Sequence, residues 1–233
     1  FVFGSKYRGK TNERLTQMLI NVGLSAIEND LVNDSGTDSG KGIKLLDPMC
    51  GRATTLLWAM RYGIIARGIE QDIKALADIR QSLKKWSKLH RQKHKLADGC
   101  IGKPNKSGAG KFLDFSAEDT SMRVVVGDTR QADQIFKKEK FDLLVSDLPY
   151  GVQHFTTDKT RNPLAVISDS VSAWKHCLKS RGAVVLSFNS YIPKRRALIE
   201  TFEQSGFEAQ PFSAAHRMSE SIVRDVVIFK VAG

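Results

Sequence analysis

The sequence predicts an α/β fold, a single domain over residues 1–233 in which strands and helices alternate and a terminal antiparallel hairpin completes the sheet. Three observations carry this. Short apolar segments recur between helical runs, and four of them end on an acidic residue. The last two apolar segments follow one another with no helix between them. Hydrophobic residues make up 41% of the chain, ordinary for a soluble globular protein, and 233 residues bury a sizeable core. No apolar run approaches bilayer length, so no membrane partner is expected.

Residues 6–42 form an amino-terminal helical segment. Leu15, Met18, Leu19 and Val22 fall on one face, and Thr11 or Asn12 is the N-cap, which would set polar groups near a ligand carboxylate. A Ser/Asp/Gly-rich loop, Asn33 to Gly42, leads to the first strand at Ile43. The turn Asp47-Pro48-Met49-Cys50-Gly51 follows, then a helical run from Thr54 to Tyr62. The second strand is Ile64 to Ile69, with a helix from Ile73 to Leu89.

Residues 84–122 read as a basic insertion, an extended helix end followed by a mobile Gly/Asn/Ser-rich stretch. The third and fourth strands are Arg123 to Val126 and Phe141 to Val145. A polar loop, Val152 to Pro163, then precedes a helix from Leu164 to Leu178 and a fifth strand, Ala183 to Phe188. A helix near Lys194 to Gln204 comes next, and the strands Phe207 to Phe212 and Val226 to Val231 make the finishing hairpin.

The chemistry concentrates in Ser146-Asp147-Leu148-Pro149-Tyr150-Gly151, at the end of the fourth strand. A carboxylate and neighbouring carbonyls accept hydrogen bonds from an amine on a flat ring. The proline fixes the backbone, and the tyrosine offers a stacking face. About a hundred residues upstream, the strand–turn–helix around Gly51 is how open α/β sheets cradle a nucleotide-like ligand. Gly51 is followed by Arg52-Ala53, so the glycine pattern for a pyrophosphate is not met. Glu70 lies 19 positions after Gly51, where an acid can accept from ribose hydroxyls, and Asp128 suits the amino group of an adenine or the cap of the following helix.

These four strand ends resemble the class I S-adenosylmethionine-dependent methyltransferases. The pairing of Asp-Pro-Met-Cys-Gly with Asp-Leu-Pro-Tyr-Gly is similar to a narrower group, the RNA guanine-N2 methyltransferases that often carry a THUMP domain. Arg52 stands where that group has a small residue. The resemblance implies a Rossmann-like, mostly parallel seven-stranded sheet with the carboxyl-terminal antiparallel hairpin. It implies S-adenosyl-L-methionine as cofactor, held by Thr11, Asn12, Asp47, Pro48, Cys50, Gly51, Thr54, Glu70, Gln71, Asp128, Thr129 and Asp147. Asp147, Leu148, Pro149 and Tyr150 would be catalytic, methylating the N2 amine of a guanosine, with tRNA as the expected substrate. The partners implied are RNA and a separate RNA-capturing domain or a small activator protein.

The bulk charge points the same way. An excess of 36 Lys and Arg over 25 Asp and Glu, net +11, predicts a polyanionic partner. Lys84, Lys85, Trp86, Lys88 and Arg91, with His154, Phe155 and Arg161 of the polar loop, are the expected RNA contacts, although a charge run also serves as a solvated face. The scattered Cys50, Cys100 and Cys177 fit neither a disulfide framework nor a metal site and predict a reducing, cytoplasmic setting. His90 and His94 lack a third ligand, so no metal is expected, and no Gly-x-Ser-x-Gly elbow supports a hydrolase. Phe1 in place of Met fits a piece of a longer chain. Two other readings stay open: adenine-N6 or cytosine-N4 methylation of DNA or RNA, and a non-catalytic RNA-binding protein of this fold, to which Arg52 would lend support.

Overall fold

A computed structural model of the chain describes residues 12–31, 42–89, 91–103, 108–118, 120–149 and 163–232. Thr11, Tyr150, His154, Phe155 and Arg161 lie outside them. The elements in chain order are α1 (Glu13–Leu31), β1 (Lys44–Asp47), α2 (Thr54–Arg61), β2 (Ile65–Glu70) and α3 (Ile73–Leu89). Then come β3 (Lys95–Cys100), β4 (Lys111–Ala117), β5 (Thr120–Val126), a 3-10 turn at Thr129–Gln131, α4 (Ala132–Phe136) and β6 (Phe141–Asp147). The rest is α5 (Leu164–Cys177), β7 (Leu178–Asn189), α6 (Arg195–Glu203), β8 (Phe207–Ala209), β9 (His216–Arg217) and β10 (Val223–Val231).

The strands form one sheet in the order β3-β4-β5-β2-β1-β6-β7-β10-β8, with β9 pairing β10 off this path. The five central strands, β5-β2-β1-β6-β7, are parallel. Strand β10 runs antiparallel to both β7 and β8, the finishing hairpin that the consecutive terminal strands predict. All seven expected strands are present. Because both faces of the central strands are covered, they carry apolar residues toward both sides. Leu45, Leu143, Val145 and Val185 join α1, α2 and α3 in one core cluster. Leu46, Leu144, Val184 and Leu186 join α4, α5 and α6 in the other. Helix α1 comes close at Gly23, where an added Cβ would lie 3.1 Å from Leu143.

The principal difference from expectation is the stretch 84–122. The expected helix end is present in α3, but in place of a mobile insertion β3 and β4 extend the sheet as an antiparallel hairpin beyond β5. Alternation explains it: Leu113, Phe115 and Ala117 of β4 turn into the core under α3, while Phe112, Asp114 and Ser116 between them take the other face. On that face Asp114 accepts two hydrogen bonds from the Arg123 guanidinium, at 2.6 and 2.7 Å, which fastens the hairpin to β5.

The second core cluster is built around aromatic contacts. The fully buried Phe202 stacks on Phe229 with ring centroids 4.1 Å apart and meets Phe207 edge-on at 5.3 Å. Phe202→Ala should lower stability by about 3–5 kcal/mol, read as a lower urea midpoint with an unchanged slope. A loss under about 1 kcal/mol would show that this cluster does not hold α6 to the sheet.

Candidate active site

Parallel pairing decides where the acidic residues go. With β5, β2, β1 and β6 side by side, their carboxyl ends bring Asp128, Glu70, Asp47 and Asp147 into one row along the sheet edge. Asp47 is 2% exposed, and its Oδ1 accepts from Ser146 Oγ at 2.8 Å and from Met49 N at 3.2 Å. The Thr55 hydroxyl adds a further hydrogen bond. The bond to Ser146 joins the carboxyl end of β1 to that of β6, just before their turns.

Glu70 ties the same turn to β2. Its Oε2 accepts from Gly51 N at 2.9 Å, and its Oε1 accepts from Asp72 N at 2.9 Å. Gly51 has φ +53 with open space around its Cβ position, and Ala53 takes φ +63 to start α2. At Gly68 a Cβ would meet Cys50 Sγ and Leu56 Cδ1 at 2.7 Å, so glycine is what lets the turn lie against β2. Pro48, Cys50 and Thr54 are buried in this turn. Burial, with Asp47 and Glu70 nearby, pushes the Cys50 thiol well above its usual range, which leaves it protonated and unreactive. Arg52 turns outward to Asp78 on α3, with contacts of 3.1 and 2.9 Å, and so leaves the space inside the turn open.

In the second turn, Leu148 is buried at 1% exposure and its N–H donates to Ser187 O at 2.9 Å. The leucine thus anchors the turn through its side chain, leaving its backbone carbonyl as what it can offer a ligand. Asp147 and Pro149 are half-buried.

Other expected site residues have structural partners. Asn12 caps α1, its Oδ1 accepting from Arg14 N at 2.9 Å and Leu15 N at 3.3 Å. The Thr129 hydroxyl accepts from Trp174 Nε1 at 2.9 Å, joining the turn after β5 to α5. Asp128 accepts from Arg130 N at 2.9 Å and is gripped by the Arg130 guanidinium at 2.7 to 3.0 Å, which holds its carboxyl below the usual range. Gln71 is exposed and lines a cavity of about 540 Å³ with Asp128.

The basic run does not reach this edge. Helix α3 leads away from Glu70, and its 17 residues span about 25 Å, so Lys84, Lys85, Lys88 and Arg91 sit toward the opposite end of the sheet from Asp147. Trp86 is separated from them. Spaced with Leu76, Ile79 and Leu83, it lies on the apolar stripe of α3 and packs against the core. Four residues to which the sequence assigns no role prove central: Ser146 and Thr55 on Asp47, Arg130 on Asp128, and Gln131 beside the cavity. Ser146 could have been found from its place next to Asp147; the others depend on folded geometry. Among the described residues no group of three or more His, Cys, Asp or Glu could hold a metal, and no helix is long and apolar enough to cross a membrane.

No protein-family model and no curated protein matches the chain. Solved structures do. TrmN from Thermus thermophilus is 17% identical over 96% of this chain and 50% of that one, with a TM-score of 0.59. The T. thermophilus 16S rRNA N2 G1207 methyltransferase RsmC, in complex with AdoMet and guanosine, is 16% identical over 97% of this chain and 44% of that one, at 0.53. Magnesium protoporphyrin IX methyltransferase from Synechocystis PCC 6803, with bound SAM, is 15% identical over 97% and 87%, at 0.54. The chain therefore spans about half the length of the first two. At these identities the likeness is one of architecture: this chain has the class I methyltransferase fold.

Burial raises the Asp47 carboxyl to about 7, against hydrogen bonds from Ser146, Thr55 and Met49 N that lower it. In the unfolded chain the same group ionises near 3.8. Between these values the unfolded chain has released a proton that the folded chain keeps, so stability falls as pH rises from about 4 to 7, by an amount on the order of 4 kcal/mol. Asp47→Asn should remove this dependence. Its melting temperature should gain on the wild type between pH 5 and pH 8, and parallel curves for the two proteins would contradict the assignment.

Proposed function

We propose that this chain is the catalytic domain of an S-adenosylmethionine-dependent methyltransferase that acts on the exocyclic N2 amine of a guanosine in RNA. The observation that carries the reading is the junction of the two turns, where Asp47 and Ser146 hold the carboxyl ends of β1 and β6 together beside Asp147. The likeness in fold to RsmC, a 16S rRNA N2 G1207 methyltransferase in complex with AdoMet and guanosine, supports it.

The residues present fit the cofactor. Asp47, Glu70 and Asp147 make an acidic row in a chain of net charge +11, and such a row suits a ligand that carries a sulfonium and an ammonium group. Gly51 leaves open space beside Glu70, whose carboxylate oxygens each retain acceptor capacity for ribose hydroxyls. The outward path of Arg52 removes its support for a non-catalytic scaffold. When bound, the cofactor supplies an already activated methyl group.

The protein's own task is placement. Asp147 and the Leu148 carbonyl accept the hydrogens of the guanine amine and orient its nitrogen lone pair, and Pro149 keeps these acceptors in fixed positions. Tyr150 stacks on the base, which must leave its RNA stack to reach this edge. Asp147 also receives the proton that the amine sheds once methylated, directly or through water.

The proposal extends to the surroundings. tRNA is the substrate, bound with help from a separate RNA-capturing domain or small activator protein, in the cytoplasm. Residues 1–233 act as one catalytic domain. Lys84, Lys85, Lys88 and Arg91 are exposed and touch the phosphate backbone at a distance from the reacting base.

Asp147→Ala should lower methyl transfer to RNA by about a hundredfold or more, a far greater effect than on cofactor affinity. Single-turnover assays beside calorimetric binding separate the two quantities. Turnover near wild-type levels would remove Asp147 from the mechanism. Transfer to adenine or cytosine in place of guanine would favour the other ring-amine reading.

A further inference from the structure

Three of the five exposed large apolar side chains among the described residues, Tyr191, Ile192 and Met218, come from two neighbouring turns at one corner of the sheet, at 41, 46 and 47% exposure. Strand pairing sets that corner beside the reacting edge. Asp147 of β6 lies opposite Ser187 of β7, and β7 runs on to Asn189. There Arg224 of β10 lies opposite Asn189, and β9 pairs with the same end of β10, Arg217 opposite Val223. At a strand spacing of about 4.8 Å, β7, β10 and β9 carry the edge roughly 15 Å beyond Asp147.

A buried carboxamide holds the two turns. Asn189 is 5% exposed, and its Oδ1 accepts from Val223 N at 3.2 Å and Tyr191 N at 3.3 Å. Its Nδ2 donates to Ser221 O at 3.1 Å. Backbone donors on one side and a backbone acceptor on the other fix which way the amide points. Ser190 N and Oγ both donate to Val223 O, at 2.7 and 2.9 Å, and Met218 N donates to Ile222 O at 2.9 Å. Arg195, at the start of α6, binds Asp225 of β10 at 2.7 Å. The exposed side chains thus stand on a fixed frame, and a cluster of this kind marks a contact surface.

Its chemistry points to the occupant. Lys194 Nζ lies 5.7 Å from the centroid of the Tyr191 ring. His216 and Arg217 are exposed on β9, and Glu220 is the one acid in residues 189–194 and 216–222. Among the described residues neither Lys194 nor Arg217 forms an ion pair. An aromatic face and apolar side chains bordered by cations suit unpaired bases and their phosphates. Three half-exposed side chains offer roughly 300 Å², against about 800 Å² per partner in a stable protein interface, so a folded protein fits poorly.

We infer that Tyr191, Ile192 and Met218 form a stacking surface for the unpaired bases of RNA that flank the reacting guanosine, with Lys194 and Arg217 on their phosphates. The inference rests on RNA being the substrate. It leaves Lys84, Lys85, Lys88 and Arg91 to phosphates farther from the reaction.

Fluorescence anisotropy with a labelled, unstructured RNA of about 12 nucleotides, and with the same strand in a duplex, tests it. Tyr191→Ala/Met218→Ala should weaken single-strand binding by roughly tenfold or more and duplex binding by less than about twofold. Tyr191→Phe keeps the stacking face and should bind within about twofold of the wild type. Arg217→Gln should make the dependence of log affinity on log salt shallower by roughly 0.7. The altered side chains are exposed, so unchanged melting temperatures are expected. An unchanged single-strand affinity in the double variant, which would leave the corner to a protein partner, overturns this inference. An equal loss on the duplex overturns it too, as does failure of the wild type to bind the single strand. Methyl transfer to tRNA by the wild type is read separately, so the proposed function can stand when this inference falls, and no transfer to any RNA removes both.

Discussion

The hydrogen bond between Asp47 and Ser146 is the contact on which the site depends. It is 2.8 Å long, buried, and links residues 99 positions apart. Parallel pairing of β1 with β6 sets the two strands side by side, but the turns beyond their ends could still diverge. Asp47 prevents this by accepting from Met49 N within its own turn, from Thr55 on α2 and from Ser146 at the neighbouring strand end. A group that serves three elements at once is worth more than its separate bonds, and leaving any of its donors unpaired would be costly. The cost of the arrangement is a carboxyl kept out of water. A cationic ligand nearby would ease that cost by favouring the ionised form.

Charge is distributed unevenly in a way that suits the proposed reaction. The chain is strongly basic as a whole, yet the carboxyl ends of four central strands carry Asp128, Glu70, Asp47 and Asp147. Lys84, Lys85, Lys88 and Arg91 lie about a helix length away. A polyanion is thus drawn to the molecule without its phosphates being drawn to the reacting edge, where an acidic row receives cationic and amine groups. The separation matters because a lysine beside Asp147 would compete with a base amine for the same acceptor.

Much of the architecture was legible because strand ends are marked locally. An apolar run that stops on an acid is visible in Leu46-Asp47, Ile69-Glu70 and Val145-Ser146-Asp147 without any knowledge of pairing. What was not legible depends on partners distant in sequence or on side-chain direction. The β3–β4 hairpin was hidden because Leu96, Ala97 and Asp98 carry no β-branched or aromatic signal and glycines and lysines surround them; only pairing with β4 makes them a strand. Trp86 reads as one of a basic cluster in linear order, yet helical spacing turns it inward. Asp128 looked available to a ligand, but Arg130 two residues later folds back on it. Arg52 stands where the resemblance implies a small residue, and Asp78, 26 positions away, draws it outside the turn.

In the proposed function, the joined ends of β1 and β6 carry a methyl group from S-adenosylmethionine to a guanine amine in RNA. Mass spectrometry of nucleosides from tRNA incubated with the purified protein and methyl-labelled cofactor addresses it most directly. Labelled N2-methylguanosine is the expected product. Label in N6-methyladenosine or N4-methylcytidine alone, or none in any nucleoside while the cofactor is bound, would contradict it.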